Sequence, residues 1–345
     1  MEQISENIAH SGEAASEVVE NSAPDVAIAI TTYNRRDLLR VLLESIRSMT
    51  VQPSAIFMID NENSPATKAL ADEFNVEHYI GMEENTGGAG GFSRGVEEAY
   101  HAGHEWIWVM DDDVSVEPNA LERLEVWARE AEKQLHAGKT LRETATVFQC
   151  RKYNWDGSLF YWQYHFWNKL GIPNPFAPST FGDEERSREM NTMCFEGSMF
   201  HRDVVNAIGL PDARFFIYWD DTVYGYLASK VTKMLVVNEV IMRRTRPLKN
   251  VKLGSVRKLN STSNMSRYHI MRNRGHMAHY LMEHGDYNPG VFAFGTFLTL
   301  CKETIRLFVS NEVKSGFPRL TEGMRDGKVI RKDKSWMPFS QVHPL

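Results

Sequence analysis

Short apolar runs alternate with amphipathic stretches through the first third of the chain. "VAIAITT" at 26–32 is an apolar run of strand length and predicts a buried strand. "RRDLLRVLLESIRSM" follows, with Leu38, Leu39, Leu42, Leu43 and Ile46 recurring at helical spacing, which predicts an amphipathic helix. The pair of signals then repeats. "AIFMID" at 55–60 predicts a second strand, 66–74 a helix, "VEHYI" a third short strand, "GFSRGVEEAYHAG" a helix and "EWIWVM" a fourth strand. Such alternation predicts a parallel sheet with right-handed crossovers and ligands at the carboxyl ends of its strands.

After a charged helix over 118–137 the pattern loosens, and 153–180, rich in Tyr, Trp, Phe, Pro and Asn, predicts a loop-rich aromatic surface. "CFEGSMFHRDVV" and "ARFFIYWDDTVYGYLASK" each predict a strand leading into a helix. Two more helices are predicted over 263–284 and 288–310. The fold class is α/β, with a C-terminal helical extension.

Composition narrows this picture. A 345-residue chain with 42% hydrophobic residues can build one large α/β domain, or a domain with an appendage. Cys150, Cys194 and Cys301 are widely spaced and form no CxxC pair, so neither a disulfide framework nor a zinc site is suggested, and a reducing cytoplasm fits. Residues 1–24 hold five glutamates, no Lys or Arg and no apolar run, the opposite of a secretory signal; they predict a disordered acidic tail. The longest apolar stretch, 291–301, is cut short by Lys302 and Glu303 and falls below the roughly 18 residues of a membrane span.

Charge is divided unevenly. From Ile241 on there are 19 Lys and Arg against seven Asp and Glu, leaving 20 against 38 before it, so two surfaces with different partners are predicted. Between 240 and 282 ten Lys or Arg stand without a single Asp or Glu. That stretch suits nucleotide phosphates, a lipid diphosphate or an anionic membrane surface, or else forms a solvated basic face. The 291–309 segment, with Phe292, Phe294, Phe297, Ile305 and Phe308, is consistent with an interfacial helix, a helix packed on the core, or a homo-oligomer contact.

Four motifs carry candidate chemistry. In "WVMDDDV" the carboxylates of Asp111 and Asp113 can face one side of an extended turn and share a hard cation, Mg²⁺ or Mn²⁺, while Asp112 points elsewhere, toward a ribose hydroxyl; an Asp-capped loop is the alternative. "ENTGGAGGFSRG" fits neither a dinucleotide fingerprint nor a P-loop, but its glycines permit close backbone approach to phosphate or ribose, with Arg94 one turn into the helix. In "FFIYWDD" Asp220 and Asp221 make a candidate general base, since one carboxylate raises the pKa of the other; a helix cap is the plainer account. Trp162, Tyr218 and Trp219 offer flat faces of the kind that stack on sugars.

In this order, "ITTYNRRDLL", "MIDNENS", "NTGGAGGFSRG", "WVMDDDV" and "GLPDARFFIYWDDTVYGYL" resemble inverting family 2 glycosyltransferases of the GT-A fold, and among them the galactofuranosyltransferases. The resemblance implies a Rossmann-like, mostly parallel sheet flanked by helices. It implies a catalytic domain over 25–250, with a nucleotide-binding half to 113 and an acceptor half from 114, followed by a basic helical region over 251–345. Thr32, Asn34 and Arg35 would line the nucleotide pocket, with Asp60 near the uracil; Asn85, Gly87, Gly88 and Arg94 would hold ribose and diphosphate, with Asp112 on the same side. Asp111 and Asp113 would bind Mn²⁺ or Mg²⁺. Asp221, supported by Asp220, would deprotonate the acceptor, and Trp162, Trp219 and Glu196 would form the acceptor side.

The partners so implied are UDP-galactofuranose as donor and a lipid-linked saccharide as acceptor at the cytoplasmic face of a membrane, with no nucleic acid. The pattern departs from the family where a metal-ligating histidine is usual: "VVNEVIMRRTRP" supplies Arg243, Arg244 and Arg246 instead. Arginine can neutralise diphosphate but cannot ligate a cation, so Asp113 and the diphosphate would hold it alone, or His269 would reach in from the next helix. A dTDP-rhamnose or UDP-hexopyranose donor would use the same fold, and a non-catalytic glycan- or nucleotide-binding module would use the aspartates for a structural cation.

Overall fold

The structure, a computed structural model, describes residues 23–342 other than 161–163, 179, 248–249, 253–257 and 261. The predicted acidic tail and Trp162 therefore fall outside the described residues, apart from 23 and 24 of the tail. Nine strands form the central sheet: β1 (Val26–Thr32), β2 (Ala55–Asp60), β3 (His78–Gly81), β4 (Trp106–Asp111), β5 (Val114–Val116), β6 (Ala145–Tyr153), β7 (Ser187–Glu189), β8 (Ser198–His201) and β9 (Lys233–Arg244). Their order is β3-β2-β1-β4-β8-β6-β9-β5, with β7 added against β9. Strands β1, β2, β3 and β4 are mutually parallel, β6 and β9 share that direction, and β8, β5 and β7 run against it.

Register explains where the polar motifs gather. Thr32 of β1 lies opposite Asp60 of β2, and Thr31 opposite Asp111 of β4, so three strands expose their carboxyl ends side by side. Period-two alternation along β4 divides its side chains between two cores: Trp106, Trp108 and Met110 on one face, Ile107 and Val109 on the other. Helix α1 (Arg36–Arg47) covers the first face with Leu39, Leu42, Leu43 and Ile46, and α3 (Gly87–His101) covers the second with Phe92, Val96 and Ala99, α2 (Pro65–Glu73) lying between them in sequence. Fully burying one such Leu or Phe contributes about 1.5–3 kcal/mol, so the strand ends rest on a rigid platform. Next come α4 (Ala120–His136), α5 (Arg202–Ile208) and α6 (Asp220–Ala228).

The C-terminal region holds four helices: α7 (Asn264–Arg272), α8 (Arg274–Glu283), α9 (Pro289–Ser310) and α10 (Val313–Lys332). The structure differs from the sequence expectations in four places. The single helix expected over 263–284 breaks at Asn273, whose side chain is used elsewhere. Helix α10 lies in the stretch expected only as a basic helical region, with no bounds given; its glycines allow it to press on α7, where a Cβ at Gly323 would stand 2.2 Å from the Tyr268 carbonyl. The aromatic strand expected before Asp220 is no strand, since Phe216, Tyr218 and Trp219 all have positive φ, at 63°, 68° and 72°. Finally, Gly87–Gly91 form the first turns of α3 rather than a loop ahead of it.

Candidate active site

A cavity of about 330 Å³ opens where the carboxyl ends of β4 and β9 meet the N-termini of α3 and α6. On one wall stand Asp111, the last residue of β4, and Asp113 in the turn that follows, with Arg35 and Arg246. Arg35 donates from Nη1 to Asp113 Oδ2 at 3.4 Å, and Arg246 Nε is 3.8 Å from the same oxygen. Burial pushes the Asp111 carboxyl well above the usual range, and the charges of Asp113, Glu196 and Asp112 push it further. A carboxylate forced toward its neutral form by its neighbours is one that a cation would recharge.

Opposite lie Asp220 and Asp221, the first two residues of α6, both in the cavity wall. Burial raises both pKa values, and the charge of Asp221 adds to the rise at Asp220. Asp221 Oδ1 accepts from the Thr222 backbone N–H at 2.6 Å, which favours its ionised form. Of the two, Asp220 is therefore pushed further toward its protonated form than Asp221. The loop that presents them, with its three left-handed residues, stores strain of about 1–3 kcal/mol per residue. Buried Asn273 restrains it: its Nδ2 donates to the carbonyls of Phe215, Ile217 and Tyr218.

At the end of β9, Arg244 also lines the cavity, and its guanidinium is locked to Glu196, with Nε donating to Oε1 at 2.6 Å. Lys152, almost completely buried, donates to the Glu196 carbonyl at 2.6 Å and stands 3.3 Å from its Oε1. Against the effect of burial, Lys152 and then Arg244 hold the Glu196 carboxyl down at about 2. The Arg244 guanidinium also lies 3.8 Å over the Phe160 ring, and its buried Nη1 makes no hydrogen bond.

The glycines at the start of α3 divide by role. Gly87 has φ +70° and is pinned under the Phe216 carbonyl, to which a Cβ would come within 2.1 Å. Gly88 lines the cavity, and a Cβ there would meet nothing within 4 Å. Only Gly88 is thus left open for close approach of a ligand to a helix N-terminus. Asn61, from "MIDNENS", fastens this turn by donating to the Gly87 carbonyl and accepting from Thr86 N–H and Oγ1.

Cation chemistry rests on the aspartate pair. Among the described residues no group of three or more His, Cys, Asp or Glu is arranged to hold a metal ion. His269 does not line the cavity; it stacks on Phe216 with ring centroids 5.0 Å apart. The donor set fits a hard divalent cation held by Asp111 and Asp113, with the remaining positions left to phosphate oxygens and water, as Mg²⁺ is commonly bound.

Known proteins share this architecture. Residues 27–209, more than half of the chain, match the family described as Glycosyl transferase family 2. The chain belongs to that family. Galactofuranosyltransferase GlfT1 of Mycolicibacterium smegmatis is 28% identical over 203 residues, which is 57% of this chain and 62% of that protein. GlfT1 of Mycobacterium tuberculosis H37Rv is 26% identical over 212 residues, with the same shares. The uncharacterized glycosyltransferase YwdF of Bacillus subtilis is 28% identical over 200 residues, 56% of this chain and 65% of that one. The chain thus spans less than two-thirds of the length of these curated relatives. Among solved structures, S. aureus TarS 1–349 superposes with a TM-score of 0.54 at 12% identity, covering 89% of this chain and 81% of that one. The same protein in complex with UDP-GlcNAc gives 0.51 at 13% identity and the same coverage. At that identity the likeness establishes the fold, a GT-A-like mixed sheet flanked by helices.

Within this cavity the structure gathers Arg35, Gly88, Asp111, Asp113, Glu196, Asp220 and Asp221 from the residues singled out in the sequence. Others stand apart. Asp112 is buried and spends its oxygens on Thr32 Oγ1 at 2.7 Å and Arg35 at 2.9 Å, so it and Thr32 brace the wall instead of facing a ribose. Asp60, 0% exposed, accepts from the N–H groups of Glu62 and Ser64 and from the Tyr79 hydroxyl, and has no surface for a uracil.

Arg94 is exposed and pairs with Glu97 and Glu98, because six residues of helix carry it round to the far side from Gly88. Asn34 is exposed with φ 52°, and Asn85 accepts from Gly87 N–H outside the cavity. Trp219 is buried and donates its indole N–H to the Ile270 carbonyl, so Tyr218, 37% exposed and in the wall, is the aromatic face on offer. Lys152 and Asn273 were missed. The lysine had a weak signal, the Arg-Lys pair near the end of the apolar strand "ATVFQCRKY", which does not by itself tell Lys152 from Arg151; Asn273 had none.

Proposed function

We propose that this glycosyltransferase moves galactofuranose from UDP-galactofuranose to a hydroxyl of a lipid-linked saccharide in surface-glycan synthesis, with inversion at the anomeric carbon. Support for the donor comes from the GlfT1 relatives and from the likeness of "NTGGAGGFSRG" and "YWDD" to that group. The observation that carries the chemistry is the meeting of two carboxylate pairs, Asp111 with Asp113 and Asp220 with Asp221, across one cavity together with three arginines. The domain roles follow: 25–113 holds the nucleotide, 114–250 the acceptor, and the basic C-terminal region faces the membrane from the cytoplasmic side. No helix among the described residues is long and apolar enough to cross a membrane.

In this mechanism Arg35, Arg246 and Arg244 face the diphosphate, and the open backbone at Gly88 lets it approach the α3 N-terminus. Asp111 and Asp113 would hold a Mg²⁺ or Mn²⁺ ion, which when bound would neutralise charge on UDP. Asp221 takes the acceptor hydroxyl proton as the new carbon–oxygen bond forms from the face opposite UDP. The old bond breaks with its electron pair leaving on the phosphate, so no covalent enzyme intermediate is required. Tyr218 bounds the acceptor side.

The test is UDP release from UDP-galactofuranose with a lipid-linked galactoside, with and without Mn²⁺, for the wild type, Asp113→Ala and Asp221→Asn. Metal-dependent turnover is expected, with a loss of about 100-fold or more in each variant. Turnover with dTDP-rhamnose in preference would overturn the donor; unchanged turnover in Asp221→Asn would overturn the base.

A further inference from the structure

A second cavity, of about 500 Å³, lies between α8, α9 and α10, away from the glycosyl-transfer site. Its lining is amphiphilic. Phe292 and Met324 are among its apolar members, while Arg325, Lys328 and Arg331 come from a single face of α10, and no Asp or Glu lines it. Arg325 is partly offset by Asp326, whose Oδ1 lies 3.1 Å from its Nε.

A fourth cation sits beneath. Arg274 lines the cavity and is buried, and its hydrogen bonds go to neutral oxygens: Thr296 and Thr299 Oγ1 and the carbonyls of Leu170, Gly171 and Phe292. Its positive charge therefore radiates into the cavity without a carboxylate to cancel it.

The flank of the cavity is apolar and uncovered. Ala293 and Thr296 of α9 line the cavity, while on the same helix Val291, Phe294, Phe297, Ile305 and Phe308 are exposed. At 100° per residue these five side chains fall within about 120° of arc, one continuous stripe. Phe294 and Phe297 are 55% and 56% exposed and stack on each other. An exposed aromatic stripe beside a cation-rimmed, apolar-floored cavity matches one chemistry: an anion joined to a hydrocarbon tail.

We propose that this cavity seats the phosphate of an anionic phospholipid, with α9 lying in the membrane interface beside it. The proposal deepens the membrane-facing role of the C-terminal region and rests on that reading, but it is tested by binding alone, so failure of the donor assignment leaves it standing.

The experiment is co-sedimentation of the full-length protein with phosphatidylcholine vesicles carrying about one-third phosphatidylglycerol, compared with phosphatidylcholine alone. Wild type should bind the anionic vesicles selectively. Lys328→Gln with Arg331→Gln should weaken binding on the order of 10-fold. Lys332→Gln with Lys334→Gln, which removes the same charge outside the cavity, should weaken it much less. Phe294→Ser with Phe297→Ser should abolish binding, with circular dichroism showing each variant folded. Equal losses in the two charge variants would make the attraction a general one and overturn the site. Absence of wild-type binding, or a lipid-free dimer broken by the Phe variants, would reassign the α9 stripe to a second copy of the chain and overturn it as well.

Discussion

Substituting Asn273 tests how the base-bearing loop is held. Asn273 is 0% exposed, and its Nδ2 lies 2.8 Å from the Phe215 and Ile217 carbonyls and 3.0 Å from that of Tyr218. An amide has two hydrogens, so one is shared. Asn273→Ala strands up to two carbonyls, those of Ile217 and Tyr218, because that of Phe215 still accepts from the Ile217 N–H at 2.7 Å; each costs about 1–3 kcal/mol when buried and unpaired. Water entering the vacated space recovers part, and the expected net loss is about 2–4 kcal/mol in urea denaturation.

Asn273→Asp keeps the volume but turns an oxygen toward those carbonyls, so it should be worse than Ala. Freed from its restraint, the loop can relax its three left-handed residues, displacing Tyr218, Asp220 and Asp221. The proposed donor contacts at Arg35 and Gly88 would remain. In the UDP-release assay kcat should therefore fall about 10-fold or more while the donor KM changes little. A change below about 0.5 kcal/mol with unaltered kcat would refute the restraint. Asp no worse than Ala would show that packing, not the hydrogen bonds, holds the loop.

Two further outcomes follow from the same geometry. Gly88→Ala should leave stability within about 0.5 kcal/mol of wild type, because its Cβ meets open space, yet raise the donor KM several-fold; Gly87→Ala, at φ +70° beneath the Phe216 carbonyl, should instead lower stability by more than about 1 kcal/mol, and like behaviour of the two variants in thermal melts and kinetics would count against the assignment. Glu196→Gln should cost about 3–5 kcal/mol, because Lys152 and Arg244 are left buried without their counter-charge. Since the folded pKa of Glu196 is lowered to about 2, its stabilisation is present above the ordinary carboxylate pKa of about 4.3 and is lost as pH falls toward 2; the pH dependence of unfolding across that window should be steeper in wild type than in the variant.

The parts of this protein that repeat a local pattern were legible in its sequence. The first β-α units, Asp111 and Asp113 at the end of an apolar run, and Asp220 with Asp221 at a helix start all announce themselves through periodicity or type. That Asp112 would point away from Asp111 and Asp113 was legible too, but what it meets there was not. Its partners are Thr32 and Arg35, some eighty residues earlier. Asp60 and Trp219 have the residue types of a binding site, but long-range hydrogen bonds to Tyr79 and to the Ile270 carbonyl turn them into structure. The packing of α10 through its glycines and the left-handed loop at 216–219 were not legible for one reason: both are conformations that only tertiary packing explains.

The arginines at the end of β9 gain meaning from the charge of the whole cavity. Three arginines, Arg35, Arg244 and Arg246, face five carboxyl groups, Asp111, Asp113, Glu196, Asp220 and Asp221. Fully ionised, the lining would carry two net negative charges, and a diphosphate would be repelled from it. The fold resolves part of this itself. Glu196 is committed to Lys152 and Arg244, which keeps it ionised, so relief has to come at Asp111 and the Asp220–Asp221 pair, whose pKa values burial raises, with neighbouring carboxylates adding to the rise at Asp111 and Asp220.

A proton shared by Asp220 and Asp221 removes one negative charge without disabling the base. What remains centres on Asp111 and Asp113, where a divalent cation would supply the missing positive charge and turn a repulsive wall into one that accepts phosphate. A histidine at the position of Arg244 would add a ligand but, neutral, no charge. Arg244 adds the charge and leaves ligation to the aspartates and the donor's own phosphates, so cation and donor would be expected to bind together, each completing the other's site.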